Sequence, residues 1–412
     1  MPTTDSSPNP SPRRPLAWEA AAVIGGGLAL IVAVMVWTWR EPEEKRSPFS
    51  VEVPGSTRAR TTGGPYAGSK VCGECHASES ATYERSGHAR TLRLASASPL
   101  ARRLDGRVVA DPDRPEVTWE YELRNGEFRA QRSEKGSLEV ERFVLEYVLG
   151  SGDHAATFVT VNDPWKPTAL EHRLTYYVGS DSFDITPGQR AENPAGGTTH
   201  HSRELSPKET LKCFGCHTTP ASETRATSPG QAPMADAEHL SPNVTCERCH
   251  GPAQAHVEAA RRGQAGLMMP FGPGQWTAES QLGLCGQCHR HPSRFPAERI
   301  RPDDGQLARF QPIGLMQSKC YKNSPGALSC VTCHNPHERA SKDPLAYEAA
   351  CLTCHDGPSI QKTNGNRACP VSPSKSCLDC HMPKVDSGQH VLYTDHWIRV
   401  READRHPRGE PR

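Results

Sequence analysis

The sequence predicts a mainly α fold with extensive loops, a small antiparallel β insertion and one N-terminal transmembrane helix. Three observations predict it: an apolar run from Ala20 to Trp39, alternation confined to residues 104–186, and short Cys/His repeats spaced too closely for sheet beyond residue 200. Only 35% of the 412 residues are hydrophobic and 6% aromatic, against 34 Gly and 37 Pro, so the chain looks too poor to pack a core from side chains alone. Lys+Arg (48) and Asp+Glu (47) cancel, which excludes a nucleic-acid binder driven by net charge. The anomaly is 16 Cys and 19 His.

Residues 1–16 read as a cytoplasmic N-terminus, 17–40 as a membrane anchor, 41–65 as a flexible linker, 66–400 as the Cys/His domain and 401–412 as a charged tail. Arg13 and Arg14 precede the apolar run, while Glu41, Glu43 and Glu44 follow it, which orients the N-terminus inward. Trp18, Trp37 and Trp39 lie where interfacial aromatics belong. A cleaved signal peptide is the rival, but the run is long for one and no small-x-small site closes it. The expected localisation is single-pass in the inner (cytoplasmic) membrane, with the remainder periplasmic.

Seven copies of C-x-x-C-H use 14 of the 16 cysteines. The pairs are Cys72/Cys75, Cys213/Cys216, Cys246/Cys249, Cys285/Cys288, Cys330/Cys333, Cys351/Cys354 and Cys377/Cys380. They close on His76, His217, His250, His289, His334, His355 and His381. Two thiols three residues apart can form thioethers to the two vinyl groups of one haem, and the next His then lies beneath the ring as proximal iron ligand. Zinc does not require His after every second Cys, and C-x-x-C disulfides would leave seven strained loops. The spacing predicts seven covalently attached haem c groups. The fold class is therefore a multihaem cytochrome c architecture whose missing core is porphyrin, and the haem-free chain is expected not to fold stably.

A sixth ligand completes each iron. The candidate distal ligands are His88, His154, His201 (with His200 its rival), His256, His337, His390 and His396; His172, His239, His291 and His406 read as bland. His337 follows His334 by three residues, and extended chain spans at most about 11 Å there, too little to round a porphyrin. As a ligand it would serve a neighbouring haem. The same holds, less strictly, for His256 after His250. His88 is expected on a helix over 78–94.

Between His76 and Cys213 no motif occurs, and Val117 to Ala130 alternate about Asn125-Gly126, a strong hairpin signal. Further β-like runs follow at 143–149, 157–161 and 174–178, giving the β-rich insertion at 104–186 with His154 on it. After residue 200 no sheet is expected. Cys320 and Cys369 belong to no motif and are candidates for a disulfide, for free thiols or for an axial thiolate.

Several stretches resemble the multihaem cytochromes c of the doubled C-x-x-C-H class, related to the tetrahaem carrier cytochromes of ammonia-oxidising bacteria. They are Gly68 to His76 with Ser86-Gly87-His88, Gly150-Ser151-Gly152-Asp153-His154, Cys246 to Pro252 with His256, Cys330 to His337, and Cys377 to Lys384 with Thr394-Asp395-His396. The resemblance implies distal ligation by the His after Ser-Gly, in the Gly-Pro-x-x-x-His run and in the Asn-Pro-His run. The leading functional expectation is a membrane-anchored periplasmic heptahaem cytochrome carrying electrons between respiratory redox partners through bis-His haems. The alternative is a multihaem oxidoreductase of a small nitrogen or sulfur compound (nitrite, hydroxylamine or tetrathionate type) at a haem with an open distal side. No C-x-x-C-K motif occurs, which weakens the nitrite-reductase form of it. Expected partners are periplasmic or membrane redox proteins and the bilayer, and no nucleic acid.

Overall fold

Alternation in the middle of the chain becomes sheet. The computed structural model describes residues 65–163, 166–190, 201–220, 240–264, 276–355, 375–388 and 390–401, with Met269, Cys369 and Ser372. A four-stranded antiparallel sheet runs β2 (Val108–Ala110), β3 (Val117–Arg124), β4 (Glu127–Glu134) and β5 (Val140–Val144). Arg124 pairs with Glu127, and Asn125 and Gly126 between them both have positive φ (52° and 78°), the two-residue turn that matches strand twist. The second sheet is ordered β1 (Leu92–Leu94), β6 (Tyr147–Leu149), β7 (Ala155–Asp163), β8 (Lys166–Tyr177) and β10 (Ser202–Leu205), with β9 (Ser182–Ile185) also on β8.

The inward faces of the two sheets share one core. Trp119, Tyr121 and Phe128 from the first meet Phe158, Leu174 and Tyr176 from the second, all essentially inaccessible. Each such side chain contributes about 1.5–3 kcal/mol by leaving water. Several polar groups inside it are paired. Arg173 Nε and Nη2 donate to Asp111 at 2.6 and 3.1 Å, and Trp119 Nε1 donates to the same carboxylate at 3.2 Å. The Tyr121 hydroxyl and His172 Nε2 share a hydrogen bond of 3.0 Å, and burial drives the His172 pKa down to about 3, so it stays neutral.

These sheets correct the expected fold class. The β part is not a small insertion in a mainly α chain: it opens at β1, before residue 104, and closes at β10, after residue 200. Two further hairpins follow, β11 (Thr218–Pro220) with β12 (Leu240–Pro242), and β13 (Lys384–Asp386) with β14 (Leu392–Thr394). Strands of three or four residues are too short to show a period, and β1 and β10 pair with strands far along the chain, so sequence alternation could not mark them.

The helices among the described residues are short: α1 (Ser69–Cys75), α2 (Ala77–Tyr83), α3 (Pro99–Leu104), α4 (Pro207–His217), α5 (Cys246–His250), α6 (Gln254–Arg261), α7 (Ala278–His289), α8 (Gln311–Gln317), α9 (Lys319–Asn323), α10 (Pro344–His355) and α11 (Cys377–His381). The longest have 12 residues, about 18 Å, against a bilayer core of about 30 Å. No described helix is long and apolar enough to cross a membrane. The expected anchor at 17–40, the linker at 41–65 (except Pro65) and the tail beyond residue 401 lie outside the described residues, and the single-pass inner-membrane localisation is corrected to this extent: no helix among the described residues supports it. The expected helix over 78–94 also breaks up. α2 ends at Tyr83, His88 lies on the 3₁₀ turn His88–Arg90, and β1 follows.

Candidate haem-binding cavity

Each C-x-x-C-H motif takes helical backbone, and the spacing explains why. On a helix, residues i, i+3 and i+4 share one face, so both thiols and the imidazole point the same way. Six motifs sit on α1, α4, α5, α7, α10 and α11, and the remaining one opens on the 3₁₀ turn Cys330–Thr332. Caps hold the longer of these in place. Ser206 and Glu209 close a capping box on α4, and Thr277 with Ser280 does so on α7.

These faces open on one continuous cavity of about 3920 Å³. A single small-molecule pocket holds about 300–1,000 Å³, so this is the space of several cofactors. All seven motif histidines line it, as do all the motif cysteines except Cys213, which packs with Phe214, Leu92 and Val159 beside the sheet. Thiols of different motifs meet inside it. Cys72 neighbours Cys246, Cys216 neighbours Cys288, and Cys285 neighbours Cys330. Within the first two pairs the neighbouring thiol favours one thiolate, lowering Cys246 and Cys216 to about 7.

The imidazoles meet in pairs as well. Ring centroids lie 6.5 Å apart for His76 and His256, 5.9 Å for His250 and His337, 6.3 Å for His88 and His289, and 6.2 Å for His334 and His396. A metal–nitrogen bond of about 2 Å plus about 1 Å from nitrogen to ring centre, taken on both sides of one iron, gives about 6 Å. Several of these rings are oriented from behind. Nδ1 of His217 donates to the Thr91 carbonyl at 2.7 Å, His396 to Thr394 at 2.9 Å, His381 to Arg399 at 3.2 Å and His289 to the Gln311 amide oxygen at 3.2 Å. Such a bond fixes the tautomer and leaves Nε2 for a metal. Burial lowers the pKa of His217, His289 and His334, and that of His396 to about 4, keeping the rings neutral. Paired thiols, opposed imidazoles and a large shared space fit haem c.

Other predicted residues lie elsewhere. His154 lines the cavity, 6.3 Å from the Tyr393 ring. His201 lies off the cavity wall, stacked 4.9 Å from Phe143. His390 is also off it, with Nε2 2.6 Å from the Asp184 carboxylate and its ring 4.9 Å from Tyr177. His172 is in the β core and His291 caps the turn Pro292–Arg294; His200, His239 and His406 lie outside the described residues. Cys320 and Cys369 are both free thiols on the cavity wall. Sequence reading passed over three charged residues in or beside motifs: Glu247, Arg248 and Glu348, all with burial or contacts toward the cavity. Their only sequence signal was charge at the variable positions of a motif or just ahead of one.

Comparison with known proteins agrees with this geometry. The family described as cytochrome c554 and c-prime matches residues 187–251, and the doubled CXXCH motif matches residues 324–360. The dissimilatory sulfite reductase MccA of Wolinella succinogenes is 22% identical over 388 residues, covering 77% of this chain and 50% of its own length. The multiheme cytochrome MtrA of Shewanella baltica is 24% identical over 187 residues, covering 43% of this chain and 54% of its own. The chain thus spans about half the length of these curated relatives. The crystal structure of the outer cell wall cytochrome OcwA aligns with 81% of this chain and 80% of its own at 15% identity and a TM-score of 0.44, too loose a likeness to fix the fold.

Proposed function

Because this chain belongs to the multihaem c-type cytochromes, we propose that it transfers electrons along seven haem c groups, one per motif, held largely between histidine pairs. Bound haem supplies a one-electron ferric/ferrous couple. The observation that carries the reading is the set of four imidazole pairs at 5.9–6.5 Å, each joining a motif histidine to a histidine elsewhere in the chain. His256 serves the site of His76, His337 that of His250, His88 that of His289, and His396 that of His334. Two imidazoles with the four porphyrin nitrogens would leave iron no open position, which suits a carrier.

The cysteine neighbours supply an order. Thiol contacts link the first motif to the third, the second to the fourth and the fourth to the fifth. Electrostatic contacts link Cys249 with Cys285, Cys351 with Cys333 and Cys351 with Cys377. The motifs therefore run first, third, fourth, fifth, sixth, seventh, with the second as a side branch on the fourth. The partners at its ends are redox proteins. Electron paramagnetic resonance of the oxidised, haem-loaded protein tests this: four or more low-spin bis-His signals with seven haems per chain are expected, and a predominantly high-spin spectrum would overturn it.

A second reading is an oxidoreductase of a small nitrogen or sulfur compound. It is favoured by the sulfite reductase among the relatives and by His217, His355 and His381, which have no second imidazole within ring-contact distance among the described residues. A high-spin ferric signal that shifts on adding sulfite or nitrite would select it.

A further inference from the structure

The third motif, Cys246-Glu247-Arg248-Cys249-His250, places opposite charges on its two sides. Glu247 is 3% exposed, and among the described residues its carboxylate accepts from the backbone N–H groups of Ala67, Gly68 and Ala253, each at 2.8 Å. Ala67 and Gly68 lead into α1 and the first motif, so this carboxylate sits where the first and third motifs meet. Arg248 reaches the other way, and its Nη2 donates to the Gly215 carbonyl inside the second motif at 3.2 Å. Two more arginines follow the fourth motif: Arg290, directly after His289, and Arg294, whose Nη1 donates to the Gln287 carbonyl inside that motif at 3.0 Å. At the far end the pattern returns to negative. Glu348, also 3% exposed, accepts from the Ser376 N–H at 3.0 Å, between the sixth and seventh motifs.

A ferric site carries one more positive charge than a ferrous one, so a nearby carboxylate favours ferric iron and lowers its potential, while a guanidinium raises it. Burial strengthens both effects by removing water's screening. Building on the carrier reading above, we propose that Glu247 and Arg248 polarise the array, making the second and fourth motifs its electron sink. Electrons entering at either the first or the seventh motif then run down in energy to the side branch. Each hop moves one electron, leaving the donor iron ferric and the acceptor ferrous, with no bond made or broken and no proton transferred.

The test is a spectroelectrochemical titration of the haem-loaded full chain and of Glu247→Gln, Arg248→Gln and Arg248→Lys. Glu247→Gln is expected to raise the low-potential end of the titration, and Arg248→Gln to lower the high-potential end. Arg248→Lys keeps the charge and should leave the curve in place, which separates charge from structural damage. Unmoved potentials in fully loaded Arg248→Gln, or a shift of equal size in Arg248→Lys, would overturn the proposal. If Glu247→Gln fails to load, the two Arg248 variants alone decide it. Failure of the carrier reading shows differently, as wild-type protein lacking low-spin signals.

Discussion

The sheet region, residues 92–205, and the motif region around it are stabilised by opposite means. The first packs Trp119, Tyr121, Phe128, Phe158, Leu174 and Tyr176 against one another and pairs its buried charges, as any ordinary domain does. The second surrounds a cavity of about 3920 Å³ with cysteine and histidine. Averaged over the whole chain, 35% hydrophobic content describes neither. The difference teaches that cofactor dependence is local: only one of the two regions needs haem for its interior.

The largest test of that contrast is removal of the cofactor. With the motif cysteines replaced by alanine, the motif region should lose its protection while the sheet region keeps slow hydrogen exchange. Uniform protection, or uniform loss, across both would break the comparison. Next in size, Trp119→Ala should cost about 3–5 kcal/mol in denaturant unfolding of the sheet region, with the haem spectrum unchanged below the transition. A smaller effect comes from His172. Its folded pKa, about 3, lies below the unfolded value of 6.5, so the unfolded state takes up the proton first as pH falls. Stability is complete above 6.5 and should fall between 6.5 and about 3, by up to about 1.4 kcal/mol per pH unit. A His172→Asn variant should lose that slope in pH-dependent unfolding. Smallest of all, His337→Ala should convert one low-spin signal to high-spin and leave sheet stability within about 0.5 kcal/mol.

What was legible in the sequence follows the range of the interactions. The motifs could be read because both thiols and the imidazole lie within one helical turn. The Asn125-Gly126 hairpin could be read because turn and register are set by adjacent residues. Crossed pairing of His337 was accessible from chain length alone, since three residues cannot round a porphyrin. Strands β1 and β10 were invisible because they pair with β6 and β8 across long stretches of sequence. His390 illustrates the same limit. Nothing local marks it as the neighbour of Asp184, 206 residues earlier, that it proves to be.

The imidazole pairs also impose a timetable. A chain is made from its N-terminus, yet His76 faces His256, His250 faces His337 and His334 faces His396. Three of the four paired sites, all but that of His289, are finished only by a residue synthesised later, and the last of these residues lies close to the end of the described chain. On the carrier reading, a site whose second imidazole is missing would be only half complete. On that reading, a chain truncated before His396 would leave the site of His334 open to small ligands that the full chain keeps out.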